Sequence, residues 1–245
     1  MTGPGGHRDS SGQPWRAREL SPSGFETDTG EADPGLLATL AEKESGDIAL
    51  MRAVEAARLL VPVVADATEV DTSGGGSVEK AVDMAAVTLR APDGTRALPV
   101  FSGSEALAAW DADARPVPVT PARVGQAAVS EGCDVVVVDV AGPATRVLRS
   151  SMVWALAQER PWQPAHLDPF VGRSVAAAVA GERDVLDHEV EEGRPTGAGV
   201  LGIVLCLRPG LDAGAVQALA TRVGERLATD GELRARVDGV AFRIV

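Results

Sequence analysis

The sequence predicts an α/β fold of the α+β kind: an N-terminal mixed-sheet domain followed by a small β-β-α-β open-faced sandwich. Three stretches predict it. Asp134-Val135-Val136-Val137-Val138-Asp139-Val140 is an unbroken β-branched run of the sort a sheet buries on both sides. Ala97–Phe101 passes through Ser102-Gly103-Ser104 straight into apolar residues at helical spacing, ending at Trp110. The last 60 or so residues read strand, strand, helix, strand, and a unit of that size folds as two layers.

The elements follow in order. Residues 1–34 are rich in Gly, Pro, Ser, Thr and charge, and bury too little to offset the entropy of ordering, so a disordered tail is expected. From Leu36 the apolar residues fall at helical spacing in two runs separated by Gly46, with Asp47 placed to cap the second. Leu59–Val64 is a strand, and Pro62 argues for an edge or a strand end. A loop over 66–79 contains Gly74-Gly75-Gly76. Met84–Leu89 and Ala97–Phe101 flank Pro92-Asp93-Gly94, which predicts a hairpin because Pro presets φ and Gly accepts a positive one.

Ser102 and Glu105 have the spacing of a capping box for the helix that ends at Trp110. Arg115–Val119 is a strand, Thr120-Pro121 opens a helix, and Gly132 closes it. After the valine run, Ala141-Gly142-Pro143 turns the chain back through Thr145–Leu148. A helix capped by Ser150 or Ser151 then carries Trp154 and is broken at Pro161-Trp162-Gln163-Pro164. The implied organisation is a domain over 36–170, a linker over 171–183 with some helical content, and a small domain over 184–245. In the latter, Asp184–Glu191 is an edge strand, Gly199–Leu207 a buried one, Asp212 a helix cap, and Gly239–Val245 the closing strand.

The chain of 245 residues has a net charge of −12, which argues against a surface for nucleic acid or anionic lipid. Its 21 Arg against 2 Lys read as the coding bias of a GC-rich genome. No apolar run approaches the roughly 20 residues of a membrane span, and no charged-then-apolar leader opens the chain, so a soluble cytosolic protein is expected. Cys133 and Cys206 sit in or beside apolar runs, as core thiols do. Aromatic residues make up only 3% of the chain, so Ala, Val and Leu must fill the core.

Motifs for chemistry are thin. Gly197-Ala198-Gly199-Val200-Leu201-Gly202 has the letters of a dinucleotide loop, but it leads into a strand where that loop needs a helix. It reads as a hairpin turn. Gly74–Gly76 lacks the Lys-Ser/Thr of a phosphate loop, and His188-Glu189 lacks a second His four residues on. No metal, cofactor or catalytic residue is assigned. The residues retained for a ligand pocket are Asp139, at the end of the valine run, with Arg146, Arg149, His166 and Asp168. The competing reading of Asp139 is a carboxylate paired with Arg146 or Arg149.

Leu98-Pro99-Val100-Phe101-Ser102 and the short helix ending in Trp110 resemble the signature of the SseB N-terminal-domain family, the "enhanced serine sensitivity" proteins. Leu59–Val64, the strand running into Ala141-Gly142-Pro143, and Trp154-Ala155-Leu156-Ala157 with Pro161-Trp162 resemble its actinobacterial members. The likeness covers roughly 36–170, and 185–245 is similar in pattern to the domain often attached to it. Other members carry Asn-Pro after the valine strand, where Asp139 and Gly142-Pro143 stand here. The resemblance implies neither an enzymatic activity nor a cofactor. The expected role is a regulatory or protein-interaction module, monomeric or weakly self-associating, acting through a face that carries the aromatic residues Phe101, Trp110, Trp154 and Trp162. The alternative is a sensor of a small, amino-acid-related molecule.

Overall fold

A computed structural model of the chain describes residues 24–42, 45–65 and 84–245. Residues 1–23 of the tail expected over 1–34, and the glycine loop around Gly74–Gly76, lie outside the described residues. Residues 24–34 correct the expected boundary of the tail. Arg58 pairs with Asp28 through its guanidinium Nε and Nη2, and Asp33 caps α1 (Pro34–Ala41) by accepting from Leu36 N at 2.9 Å. A local carboxylate and one distant arginine hold a segment that composition alone would leave loose.

α2 (Asp47–Ala56) leads into β1 (Leu59–Ala65), the middle strand of an antiparallel sheet with β2 (Met84–Ala86) on one side and β5 (Arg115–Val119) on the other. Pro62 is therefore interior to the sheet's order, not at its edge. Its missing N–H falls on the same side as the Leu60 amide, between the bridge from Leu60 to Phe101 and the start of the β2 pairing at Val63. The Pro-Asp-Gly turn forms as expected, with Gly94 at φ 91° and Thr95 N donating to Asp93. The stretch before it divides, however. β2 joins the first sheet, and only β3 (Leu89–Arg90) pairs with β4 (Arg96–Val100).

The second sheet runs β3-β4-β6-β7, with β6 (Val135–Val138) parallel to β4 and antiparallel to β7 (Arg146–Leu148). The valine run is not buried on both sides. Val136 and Val138 are fully buried, while Val135 and Val137 are half-covered. α3 (Ser104–Trp110) and α4 (Pro121–Ser130) lie in the crossover from β4 to β6, and α5 (Ser150–Ala157) follows β7. α4 packs closely on α5 because Gly125 has no Cβ; one placed there would stand 2.4 Å from Ala157 N.

Residues 171–183 are not a linker. A 3₁₀ turn (Ala165–Leu167) leads into α6 (Pro169–Val179), N-capped by Asp168, and Val171, Val175, Ala178 and Val179 enter the core of the C-terminal unit. That unit adds β8 (Val185–Glu192), β9 (Val200–Leu207), α7 (Ala213–Thr229), α8 (Gly231–Arg234) and β10 (Gly239–Ile244). Its sheet order is β10-β9-β8, with β10 parallel and β8 antiparallel to β9. Leu201, Ile203, Leu205 and Leu207 face α6 and α7. The open-faced sandwich is thus present, with an extra helix at its start. Among the described residues no helix is long and apolar enough to cross a membrane.

Candidate functional site

Two clefts collect four of the residues that the sequence singles out: Asp139 lines one, and Arg149, His166 and Trp162 line the other. The first lies at the C-terminal ends of the parallel strands β4 and β6, where open α/β sheets place ligands. After Val138 the chain enters the left-handed region at Asp139, φ 52°, and this turns the carboxylate back toward β4. Asp139 accepts from Ser102 N and from Ser102 Oγ, each at 2.8 Å. Its own carbonyl accepts from Thr145 Oγ1 at 2.7 Å, and Arg58 Nη1 donates to Ser102 O at 2.7 Å. The Arg58 guanidinium, by hydrogen bonding, holds the Asp28 carboxyl below its ordinary value against the opposing effect of burial.

This geometry corrects two expectations. Ser102 does not build a capping box with Glu105: the N-cap of α3 is Gly103, without a side-chain cap, and the Ser102 hydroxyl is spent on Asp139. Nor does Asp139 pair with Arg146 or Arg149. Two donors from one residue supply what a buried carboxylate needs. The surrounding cleft, about 810 Å³, is lined largely by small residues including Gly103, Ala106, Ala109, Ala141 and Gly142. The two bonds from Ser102 to Asp139 tie the end of β4 to the end of β6.

The second cleft, about 510 Å³, lies where the C-terminal unit meets α2 and α5. Arg149 stands at its centre, donating to Asp47 at 2.7 Å and to Asp238 at 2.9 Å. Burial opposes its charge, but the hydrogen bonds to Asp47 and Asp238 outweigh that and hold its pKa above the ordinary value. Asp238 also accepts from Ser151 N at 2.7 Å and from Ser151 Oγ at 2.9 Å. The cap of α5 therefore comes from the other unit, not from Ser150 or Ser151: Arg149 occupies the N-cap position and makes no cap bond itself. Trp162 Nε1 donates to Ser151 Oγ at 3.0 Å, which joins the indole to the same network. His166 and Arg236 also line this cleft.

The five residues proposed for one ligand pocket are thus divided. Arg149 and His166 share the inter-unit cleft. Asp168 caps α6 and pairs with Arg236 at 2.7 Å. Asp139 belongs to the first cleft. Arg146 donates to Glu42 O at 2.5 Å, beside α1.

The four aromatic residues divide as well. Phe101 is fully buried with Leu60 and Leu107, and Trp110 lies against it at 5.4 Å between ring centroids. Alternate residues of β1 face opposite ways, and Leu59 and Val61 serve the main core while Leu60 serves this second cluster. Trp162 packs against the main core. Trp154 is 37% exposed on α5. Phe101 and Trp110 therefore lie across β1 from Trp162 and do not form one surface with it.

Sequence reasoning missed Asp238, because a carboxylate capping a helix 87 residues away leaves no local spacing to find. It read Asp47 as the cap of α2, but Gly46 holds the N-cap position without a side-chain bond and the Asp47 carboxylate accepts from Arg149 instead. Cys133 and Cys206 are free and half-buried, and burial pushes the Cys133 thiol up. Among the described residues no group of three or more His, Cys, Asp and Glu could hold a metal ion.

Fold and clefts together define a two-unit α/β protein in which charged side chains dock one unit on the other. Residues 35–155 match the family model of the SseB protein N-terminal domain, and through this domain the chain belongs to that family. The match contains both the Leu98–Ser102 strand end and Trp110, the residues that carry the resemblance in the sequence. No curated protein and no solved structure matches the chain.

Proposed function

We propose that the chain is a non-enzymatic, cytosolic regulatory module that works by binding a protein partner on the α5 side of its N-terminal unit. Trp154 carries the reading. α5 buries Met152, Val153, Ala155 and Leu156 yet holds its indole 37% exposed, and partly exposed tryptophans are the side chains that most often anchor protein interfaces. Phe101 and Trp110 take no part in this reading, since they build the core behind β1.

Affinity purification of the tagged full chain tests it, with Trp154→Ala beside the wild type and Trp110→Ala as a control for general damage. Trp154→Ala is expected to lose specific partners with a melting temperature changed by less than about 2 °C, as for a surface position. Identical partner sets for Trp154→Ala and wild type would sink the reading.

A second reading keeps the small-molecule sensor but moves it to the inter-unit cleft. Charges of both signs (Arg149, Arg236, Asp47, Glu192 and Asp238) stand there beside the apolar faces of Ile48, Trp162 and Val200. Such a lining suits a small zwitterion. Quenching or enhancement of Trp162 fluorescence on titration with free amino acids tests it, and an unchanged spectrum at millimolar ligand would count against it.

A further inference from the structure

The sheet of the C-terminal unit has two edges, and they are protected very differently. β8 carries Asp187, Glu189, Glu191 and Glu192, a charged strand of the kind that discourages pairing with another chain. β10, Gly-Val-Ala-Phe-Arg-Ile, carries one charge, and Arg243 turns it back across β9 onto Glu191 at 2.9 Å. Val240 and Ile244 are each 40% exposed at this edge, on the sheet face where Phe242 packs under α7.

The backbone sets which groups are free. Val245 N donates to Leu205 O, and Leu207 N donates to Val245 O, both at 3.0 Å, so the polar groups of Val245 point to β9. In a parallel ladder successive residues alternate in this respect, which turns Ala241 and Arg243 to β9 and leaves Val240, Phe242 and Ile244 with N–H and C=O facing outward. Among the described residues nothing hydrogen-bonds to those outward groups.

We propose that β10 pairs antiparallel with β10 of a second copy of this chain about a two-fold axis through Phe242, joining two three-stranded sheets into one. In an antiparallel ladder, residues with outward-facing groups meet as hydrogen-bonded pairs. Only the register centred on Phe242 pairs Val240, Phe242 and Ile244 among themselves within the strand. It sets Val240 opposite Ile244 of the second copy and Phe242 opposite its own equivalent. The same register sets Arg243 opposite Ala241, so no like charges face each other. Hydrogen bonding and apolar matching select this alignment and the charges are compatible with it, which is the self-complementarity a two-fold interface requires. On the helix side, Ala220, Gly224 and Ala228 follow one another at four-residue spacing, and Gly224 stands against the Phe242 ring, leaving room for the second α7. A six-residue edge is at the small end of stable interfaces, so the dimer is of micromolar affinity.

Sedimentation equilibrium of the full chain from about 1 to 100 µM, a range that brackets a micromolar Kd, reads the association. The variants are Val240→Lys, Ile244→Glu and the double variant, with far-UV circular dichroism to confirm that each is folded. Each single change buries an unpaired charge at both ends of the ladder and is expected to weaken the dimer at least tenfold. The double variant sets Lys opposite Glu at both ends and is expected to recover most of that loss. Wild-type protein that stays monomeric to 100 µM overturns the proposal. So does a dimer indifferent to the single changes, or one that the double change fails to restore.

Discussion

Replacing Asp238 by Ala is the sharpest perturbation the structure offers, because one carboxylate serves three purposes at a contact between units. It caps α5 through Ser151 N, it accepts from Ser151 Oγ, and it pairs with Arg149. Loss of an N-cap costs about 1 kcal/mol. Hydrogen bonds to a charged group contribute about 1.5–3 kcal/mol when buried, a range that solvent screening reduces here, since the side chains of Arg149 and Asp238 are 19% and 10% exposed. Arg149 keeps Asp47, so its charge is not stranded. A loss of about 3 kcal/mol results, and for a chain of this size that lowers Tm by about 6–12 °C. Urea melts followed by both far-UV circular dichroism and tryptophan fluorescence are the assay. Trp162 reports directly, because its indole N–H is bonded to Ser151 Oγ. The C-terminal unit is expected to loosen first, so that the two probes no longer coincide. A variant within about 0.5 kcal/mol of wild type, the size of an ordinary surface effect, would refute the docking role of Asp238.

Gly125→Ala puts a methyl against the backbone of Ala157 and Val153, and α4 must move off α5; a loss of about 1–3 kcal/mol is expected in chemical denaturation. Asp139→Ala strands two buried donors of Ser102 and is expected to cost about 2–4 kcal/mol, whereas Asp139→Asn keeps an acceptor, tolerates the positive φ and should stay within about 1 kcal/mol, both read from urea midpoints. Glu182 binds Arg222 and Arg226 of α7, and its hydrogen bond to Arg222 leads in lowering its pKa, against burial, with Arg226 adding to it. Because the folded carboxylate holds its proton less tightly than the unfolded one, this contribution is complete above the ordinary carboxyl range, about pH 4–5, and is lost as the pH falls through the lower folded value. Glu182→Gln should therefore flatten the acid limb of a stability–pH curve and leave its slope near neutrality unchanged.

Local signals were enough for much of this protein. The Pro-Asp-Gly turn, the Thr120-Pro121 helix start, the Asp212 cap and the strand cores of β4, β6 and β9 all follow from residues a few positions apart. The signature around Leu98–Ser102 and Trp110 was legible for the same reason, since it records how one strand end becomes one helix. Where the sequence misled, a distant partner had taken over a local group. Ser102 has the spacing to cap α3, but Asp139, 37 residues away, claims its hydroxyl. Residues 171–183 look like a linker until α6 finds the apolar face of β9.

Composition and periodicity by themselves determined the fold class, because it is written in residue types and short spacings, and the resemblance of Leu98–Ser102 and Trp110 to known members pointed to the family. Only the tertiary structure decided which charges meet. An ion pair or a capping carboxylate needs about 3 Å in space and imposes no rule on separation in sequence, so Arg149, Asp47 and Asp238 become one site only when both units are folded.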